Sequence, residues 1–112
     1  MELLAGAAGY QNDERPKPMA RAIFNGKVIA ESDDISTVEG NAYFPLASLD
    51  QNVVSETSHA THCPWKGTAS YFSIEVDGQV ADNAAWYYPE PLAGAESVAD
   101  RVAFYPSVTV ET

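Results

Sequence analysis

A single cysteine, Cys63, stands among 112 residues. Its isolation excludes an intramolecular disulfide, and with it a structural zinc site of four cysteines or of two cysteines and two histidines. Basic side chains are almost as scarce. Six Lys and Arg face sixteen Asp and Glu, a formal net charge of −10. Such a surface repels phosphate backbones and anionic headgroups, so neither nucleic acid nor a membrane is an expected partner. Acidity of this kind serves first of all as a solubility device. Long apolar runs are missing too. Residues 1–9 include Leu3 and Leu4 among small residues, but Glu2 replaces a basic n-region and the run is too short for a signal peptide or a span. The chain reads as a cytoplasmic protein with no expected cofactor or metal.

What is present is enough for a packed domain. Apolar residues make up 46% and aromatic residues 11% of the chain, and a domain of this size buries roughly two-thirds of its unfolded surface without a staple. Residues 1–18 end in Gln11-Asn12-Asp13-Glu14-Arg15-Pro16-Lys17-Pro18, which offers little to bury and reads as a flexible N-terminal arm. Residues 19–112 read as one domain.

Turn signals punctuate that domain. Asn25-Gly26 joins Arg21-Ala22-Ile23-Phe24 to Lys27-Val28-Ile29-Ala30-Glu31 as a type I′ hairpin. Gly40-Asn41 is the expected turn of a second hairpin that ends at Pro45, followed by one helical turn within residues 45–50. Residues 53–57 read as a short strand and residues 58–62 as a polar loop. His62-Cys63-Pro64-Trp65-Lys66-Gly67 follows as a shaped loop, because Pro64 lacks a donor and Gly67 permits unusual dihedrals.

Residues 68–76 form the clearest strand, with Ser70, Phe72, Ile74 and Val76 on one face and Ala69, Tyr71, Ser73 and Glu75 on the other. Asp77-Gly78 turns it into a returning strand at residues 79–88, with Trp86 and Tyr88 on a common face. The spacing of Leu92, Ala95, Val98, Ala99 and Val102 predicts one short C-terminal helix after Pro91. Residues 101–105 and 108–111 are final strands. Asn41-Ala42-Tyr43-Phe44-Pro45 is echoed by Asn83-Ala84-Ala85-Trp86-Tyr87-Tyr88-Pro89, a hint of two related β units. The predicted fold is mainly β, an antiparallel half-closed sheet or barrel that limits exposed edges.

Several stretches together carry a family resemblance. They are residues 22–32, Val38-Glu39-Gly40-Asn41-Ala42-Tyr43-Phe44-Pro45, residues 61–71 around Cys63-Pro64-Trp65-Lys66-Gly67, residues 83–91, and Val102-Ala103-Phe104-Tyr105. Spread over nearly all of residues 20–106, they resemble domain-of-unknown-function family 427. The resemblance implies the β-tent fold shared with methionine-sulfoxide-reductase-B-type enzymes and some zinc-bearing exchange factors. Zinc-bearing β-tents use two Cys-x-x-Cys pairs, which one cysteine cannot supply. Members of the family have sometimes carried a nucleotidyltransferase label. This chain has no Gly-Ser followed by an Asp-x-Asp pair to hold two metals and a triphosphate, and no Gly-rich phosphate loop.

The candidate site is a pocket around the Cys-Pro-Trp-Lys-Gly loop. Cys63 is the candidate nucleophile or redox group, because His62 and Lys66 are cations close in sequence that favour a thiolate; a small buried hydrophobe is the plainer role for such a cysteine. Lys66 would hold a small anionic or polar ligand, or pair with Glu56 or another carboxylate. Glu56 or His62 would move protons. Trp65, Tyr71, Trp86 and Tyr88 would line the pocket, or fill a barrel core. His59, His62 and Glu56 have side chains that suit a metal, but His59 and His62 project to different faces of an extended segment. The alternative is a non-catalytic interaction module whose aromatic surface docks a protein or a second copy of the chain.

Overall fold

The computed structural model describes residues 19–112; the expected arm at 1–18 lies outside them. The described residues form nine strands: β1 (Ala20–Phe24), β2 (Lys27–Ser32), β3 (Ser36–Val38), β4 (Asn41–Pro45), β5 (Val54–Cys63), β6 (Gly67–Val76), β7 (Gln79–Tyr87), β8 (Arg101–Phe104) and β9 (Thr109–Glu111). A three-stranded sheet has the order β9-β1-β2 and a six-stranded sheet the order β3-β4-β8-β7-β6-β5. All strand pairs are antiparallel. The fold is mainly antiparallel β, in two sheets that do not close into a barrel. No helix among the described residues is long and apolar enough to cross a membrane.

Three two-residue turns fix the hairpins. Asn25-Gly26, Glu39-Gly40 and Asp77-Gly78 all have positive φ at both positions, the geometry of the type I′ turn that matches strand twist. The second turn is Glu39-Gly40, one residue before the expected Gly40-Asn41. Its first position is therefore filled by a glutamate, held in the left-handed region at φ 54°.

The central strands of the six-stranded sheet carry a core on each face. On one face Phe44, Phe72, Ile74, Val76, Ala85, Val102 and Phe104 pack on Ala20, Ala22, Ile29 and Ala30 of the small sheet. On the other face Tyr43, Ala69, Tyr71, Tyr88 and Ala103 pack beneath Ala95 and Val98 of the segment after β7, with Val38, Cys63 and Trp86 around them. Strand β6 thus turns Phe72 and Ile74 to the first core and Ala69 and Tyr71 to the second, the alternation its sequence predicts.

Two further expectations change. The predicted C-terminal helix is reduced to a 3-10 turn at Glu96–Val98. Gly94 at φ 92° and Asp100 at φ 57° interrupt the backbone on either side, and Val102 belongs to β8. The helical spacing of Ala95 and Val98 places them in the second core, whereas Val102 is in the first. The expected loop at residues 58–62 is instead the second half of β5. As an edge strand with water on its outer side it needs no apolar alternation, which hid it. A bulge between Glu56 and Ala60 further disturbs its pattern.

Phe44 is fully buried and meets Phe104 edge-on at 5.7 Å. Phe44→Ala should destabilise the fold by about 3–5 kcal/mol, read from denaturant unfolding. A loss below about 1 kcal/mol would mean that the two sheets do not pack through this residue.

Candidate functional site

The loop that carries the singled-out motif is the β5–β6 hairpin turn, Pro64-Trp65-Lys66. Gly67 closes it at φ 114°, and a Cβ there would sit 3.2 Å from the Glu90 carbonyl oxygen. The backbone of the 89–99 segment runs close over this point, with the Leu92 amide donating to the Lys66 carbonyl at 3.0 Å. Glycine is required by both the dihedral and the space.

Lys66 is buried, with 6% of its surface exposed. Its ammonium is paired with the carboxylate of Glu39, the first residue of the β3–β4 turn. The Trp65 indole N–H donates to the other Glu39 oxygen at 3.2 Å. The same ammonium lies 5.4 Å from the Trp65 ring centroid and 5.5 Å from that of Tyr88, within cation–π range. Burial alone would lower the Lys66 pKa, but the Glu39 hydrogen bond and the neighbouring Tyr43 and Tyr88 outweigh it and hold the pKa above the ordinary lysine value. Bonds from Lys66 and then Trp65 hold Glu39 below the ordinary carboxylate value. The arrangement is a clamp. It ties the tip of the β3–β4 hairpin across the sheet to the β5–β6 turn, and of the two expected roles of Lys66 the structure shows the pairing with a carboxylate, that of Glu39 rather than Glu56.

The expected site residues separate by face. Cys63, Tyr71, Trp86 and Tyr88 belong to the second core or pack against it, beside the Lys66 clamp. Glu56 and His62 lie on the opposite face. Glu56 accepts a hydrogen bond from Tyr87, which stacks on Phe72 at 5.0 Å. Burial, then the bond to Glu56, pushes the Tyr87 phenol above its ordinary value. His62 Nδ1 is 3.4 Å from Thr68 Oγ1 and borders a shallow cleft of about 280 Å³ with Ser70, Glu90 and Leu92. Neither proton-moving candidate therefore reaches Cys63. The thiol is half-buried against the second core, and no hydrogen bond to it forms among the described residues. His59 rests against Tyr71, ring centroids 4.5 Å apart, on the face away from His62. No group of three or more His, Cys, Asp or Glu placed to hold a metal occurs among the described residues.

The aromatic set extends further than Trp65, Tyr71, Trp86 and Tyr88. Trp86 donates its indole N–H to the Tyr43 hydroxyl at 3.1 Å and meets that ring edge-on. On its other side Tyr105 lies at 4.7 Å, and Tyr105 stacks in turn on Tyr71 at 6.4 Å. The Tyr71 hydroxyl reaches Thr61 Oγ1 at 2.8 Å. The bond to Tyr71, with burial, pushes the Tyr105 phenol up to about 12, so it is a neutral hydroxyl at physiological pH.

Beside this cluster the sheet splits. Strand β4 pairs with β8 only at Phe44↔Val102 and Pro45↔Arg101, whereas β8 pairs with β7 as far as Phe104. Between the diverging strands is a cleft of about 510 Å³. One wall is Thr37, Gly40, Asn41 and Ala42 of the β3–β4 hairpin, the other runs from Phe104 and Tyr105 to Thr112, and Trp86 lies between. The volume is in the range of small-molecule sites.

Glu39, Tyr43 and Tyr105 were not among the expected site residues. Glu39-Gly40 repeats the pattern of Asn25-Gly26 and Asp77-Gly78, a polar residue followed by Gly, and that repetition was the available signal. Alternation along β8 places Tyr105 with Ala103, and alternation along β4 sets Tyr43 opposite to Phe44.

Because Glu39 is half exposed and Lys66 is not, the two halves of the clamp are unequal. Glu39→Ala strands a buried ammonium, whereas Lys66→Met leaves a carboxylate that water can reach. Glu39→Ala should lower the melting temperature more; equal losses would contradict the clamp. The pH dependence follows from the shift directions. Glu39's depressed pKa makes its contribution present above the ordinary value of 4.5 and lost as pH falls through the folded value. Lys66's raised pKa makes its contribution present below 10.5 and lost only at still higher pH. The difference in melting temperature between the protein and Glu39→Gln should therefore be constant near neutrality and shrink in acid.

No curated protein matches the sequence. The match that carries identity spans the whole described domain: residues 14–112 fit the family described as Domain of unknown function (DUF427), and the chain belongs to that family.

Proposed function

We propose that this protein is a small-molecule-binding domain whose ligand site is the cleft between the β3–β4 hairpin and the segment from β8 to β9. The observation that carries the reading is the divergence of β4 from β8, which leaves a concave space of about 510 Å³ beside the half-buried Trp86 and the exposed Tyr105. Aromatic walls with a few polar groups are the usual composition of such sites. The clamp supports the same reading from behind. Glu39 adjoins Gly40 of the hairpin wall and ties it to Lys66, so that wall is held in place before a ligand arrives. A catalytic role for Cys63 with Glu56 or His62 draws no support from the geometry, since they face opposite sides of the sheet. The test is a small-molecule screen of the full chain by thermal shift and amide NMR. Ligands should move the Trp86 indole and Tyr105 amide signals. Ligands that instead move only the Cys63–Lys66 turn would sink the cleft reading.

A second reading, a surface for a protein partner or a second copy of the chain, is favoured by Trp65 and Leu92. They are 42% and 43% exposed; Leu92 packs on Gly67, two residues along the chain from Trp65. If this apolar patch mediates self-association, sedimentation should show a concentration-dependent dimer that Trp65→Ser abolishes. A monomer at every concentration would remove self-association.

A further inference from the structure

The charge of a ligand in the cleft is constrained by what surrounds it. No side chain lining the cleft carries a carboxylate, an ammonium or a guanidinium. An anion would lose part of its water there without meeting a counter-charge, and the net charge of −10 would repel it on approach. A neutral guest would gain from burying apolar surface and from hydrogen bonds to Thr37, Asn41 or Tyr105, but nothing from the protein's field. A cation is concentrated near the protein by its overall field, and aromatic faces attract it without any carboxylate. The cation that suits such a place is one whose charge is spread over methyl groups, because it gives up its water readily and fits rings closely.

The aromatic geometry agrees. Trp86 and Tyr105 have centroids 4.7 Å apart and planes tilted by 52°. Rings at that angle make a corner, which suits a rounded group better than a flat one that would stack. The corner is supported from both sides. Trp86 is held by its bond to Tyr43, and Tyr105 by Tyr71, whose ring is inclined to it by only 12°. The neutral Tyr105 hydroxyl adds no ion of its own. The protein uses the same attraction internally, where the Lys66 ammonium sits against Trp65 and Tyr88.

We infer that the cleft is a site for a small quaternary-ammonium cation, held against Trp86 and Tyr105 by cation–π attraction, an inference that rests on the cleft being the ligand site. The test is a titration of the isotope-labelled full chain with choline chloride, with its neutral carbon isostere 3,3-dimethylbutan-1-ol, and with sodium chloride at matched ionic strength. The readout is the Trp86 indole N–H signal, identified against the spectrum of Trp65→Phe. Choline should give a saturable shift and bind about tenfold tighter than the isostere. Tyr105 is 44% exposed, so its variants should remain folded. Tyr105→Leu should weaken choline binding about tenfold, while Tyr105→Phe, which keeps the ring, should retain it. An isostere that binds as tightly as choline overturns the inference and leaves the cleft as an apolar site. A choline response identical to that of sodium chloride, or a saturable shift that bypasses Trp86, overturns it as well. The cleft itself fails as a ligand site only if the wider screen yields nothing that moves Trp86.

Discussion

The short strand β8 is shared by two neighbours on unequal terms. It pairs with β7 over three residues and with β4 over two. Most of what is distinctive in the domain follows from that inequality. Beyond Phe44 the β3–β4 hairpin is free of β8 and reaches across the second face of the sheet. Arg101 bridges the point of departure, donating to the Tyr43 carbonyl at 3.2 Å and to Asp34. The space left behind is the cleft, and the face that the hairpin crosses holds the second core.

A hairpin that leaves its sheet needs something to hold it, and Lys66 does this. A buried ammonium is costly without a partner. Here the cost is offset by one carboxylate and two aromatic rings. Basic side chains are few in this chain, and a rare lysine suits this structural use as well as it suits a ligand group. The burial of Lys66 and its pairing with Glu39 fit the structural use. The proposed ligand site is therefore the cleft bordered by the hairpin that the motif anchors.

The faces of the aromatic candidates were legible in the sequence and those of the polar candidates were not. Strand alternation correctly put Tyr71, Trp86 and Tyr88 on one face, because a side chain's face in a strand depends only on parity. Glu56 and His62 could not be assigned in that way. They lie in a segment whose pattern gives no alternation, and the bulge between Glu56 and Ala60 alters the count. Adjacency in sequence also misled: His62 and Cys63 are neighbours in the chain and therefore point to opposite faces. The partner of Lys66 lies 27 residues away, across a fold that no local spacing encodes.

By itself the sequence determined the β class, the hairpins at Asn25-Gly26 and Asp77-Gly78, the two faces of β6 and β7, and the family. These depend on turn chemistry and on a two-residue period, both of which act over a few neighbouring residues. Only the tertiary structure decided that Glu39 rather than Glu56 meets Lys66, that residues 91–100 plug a core without forming a helix, and that β4 parts from β8. Each of these is settled by which distant surfaces must be buried together, and a carboxylate, an alanine or a strand end carries no mark of the partner it will meet.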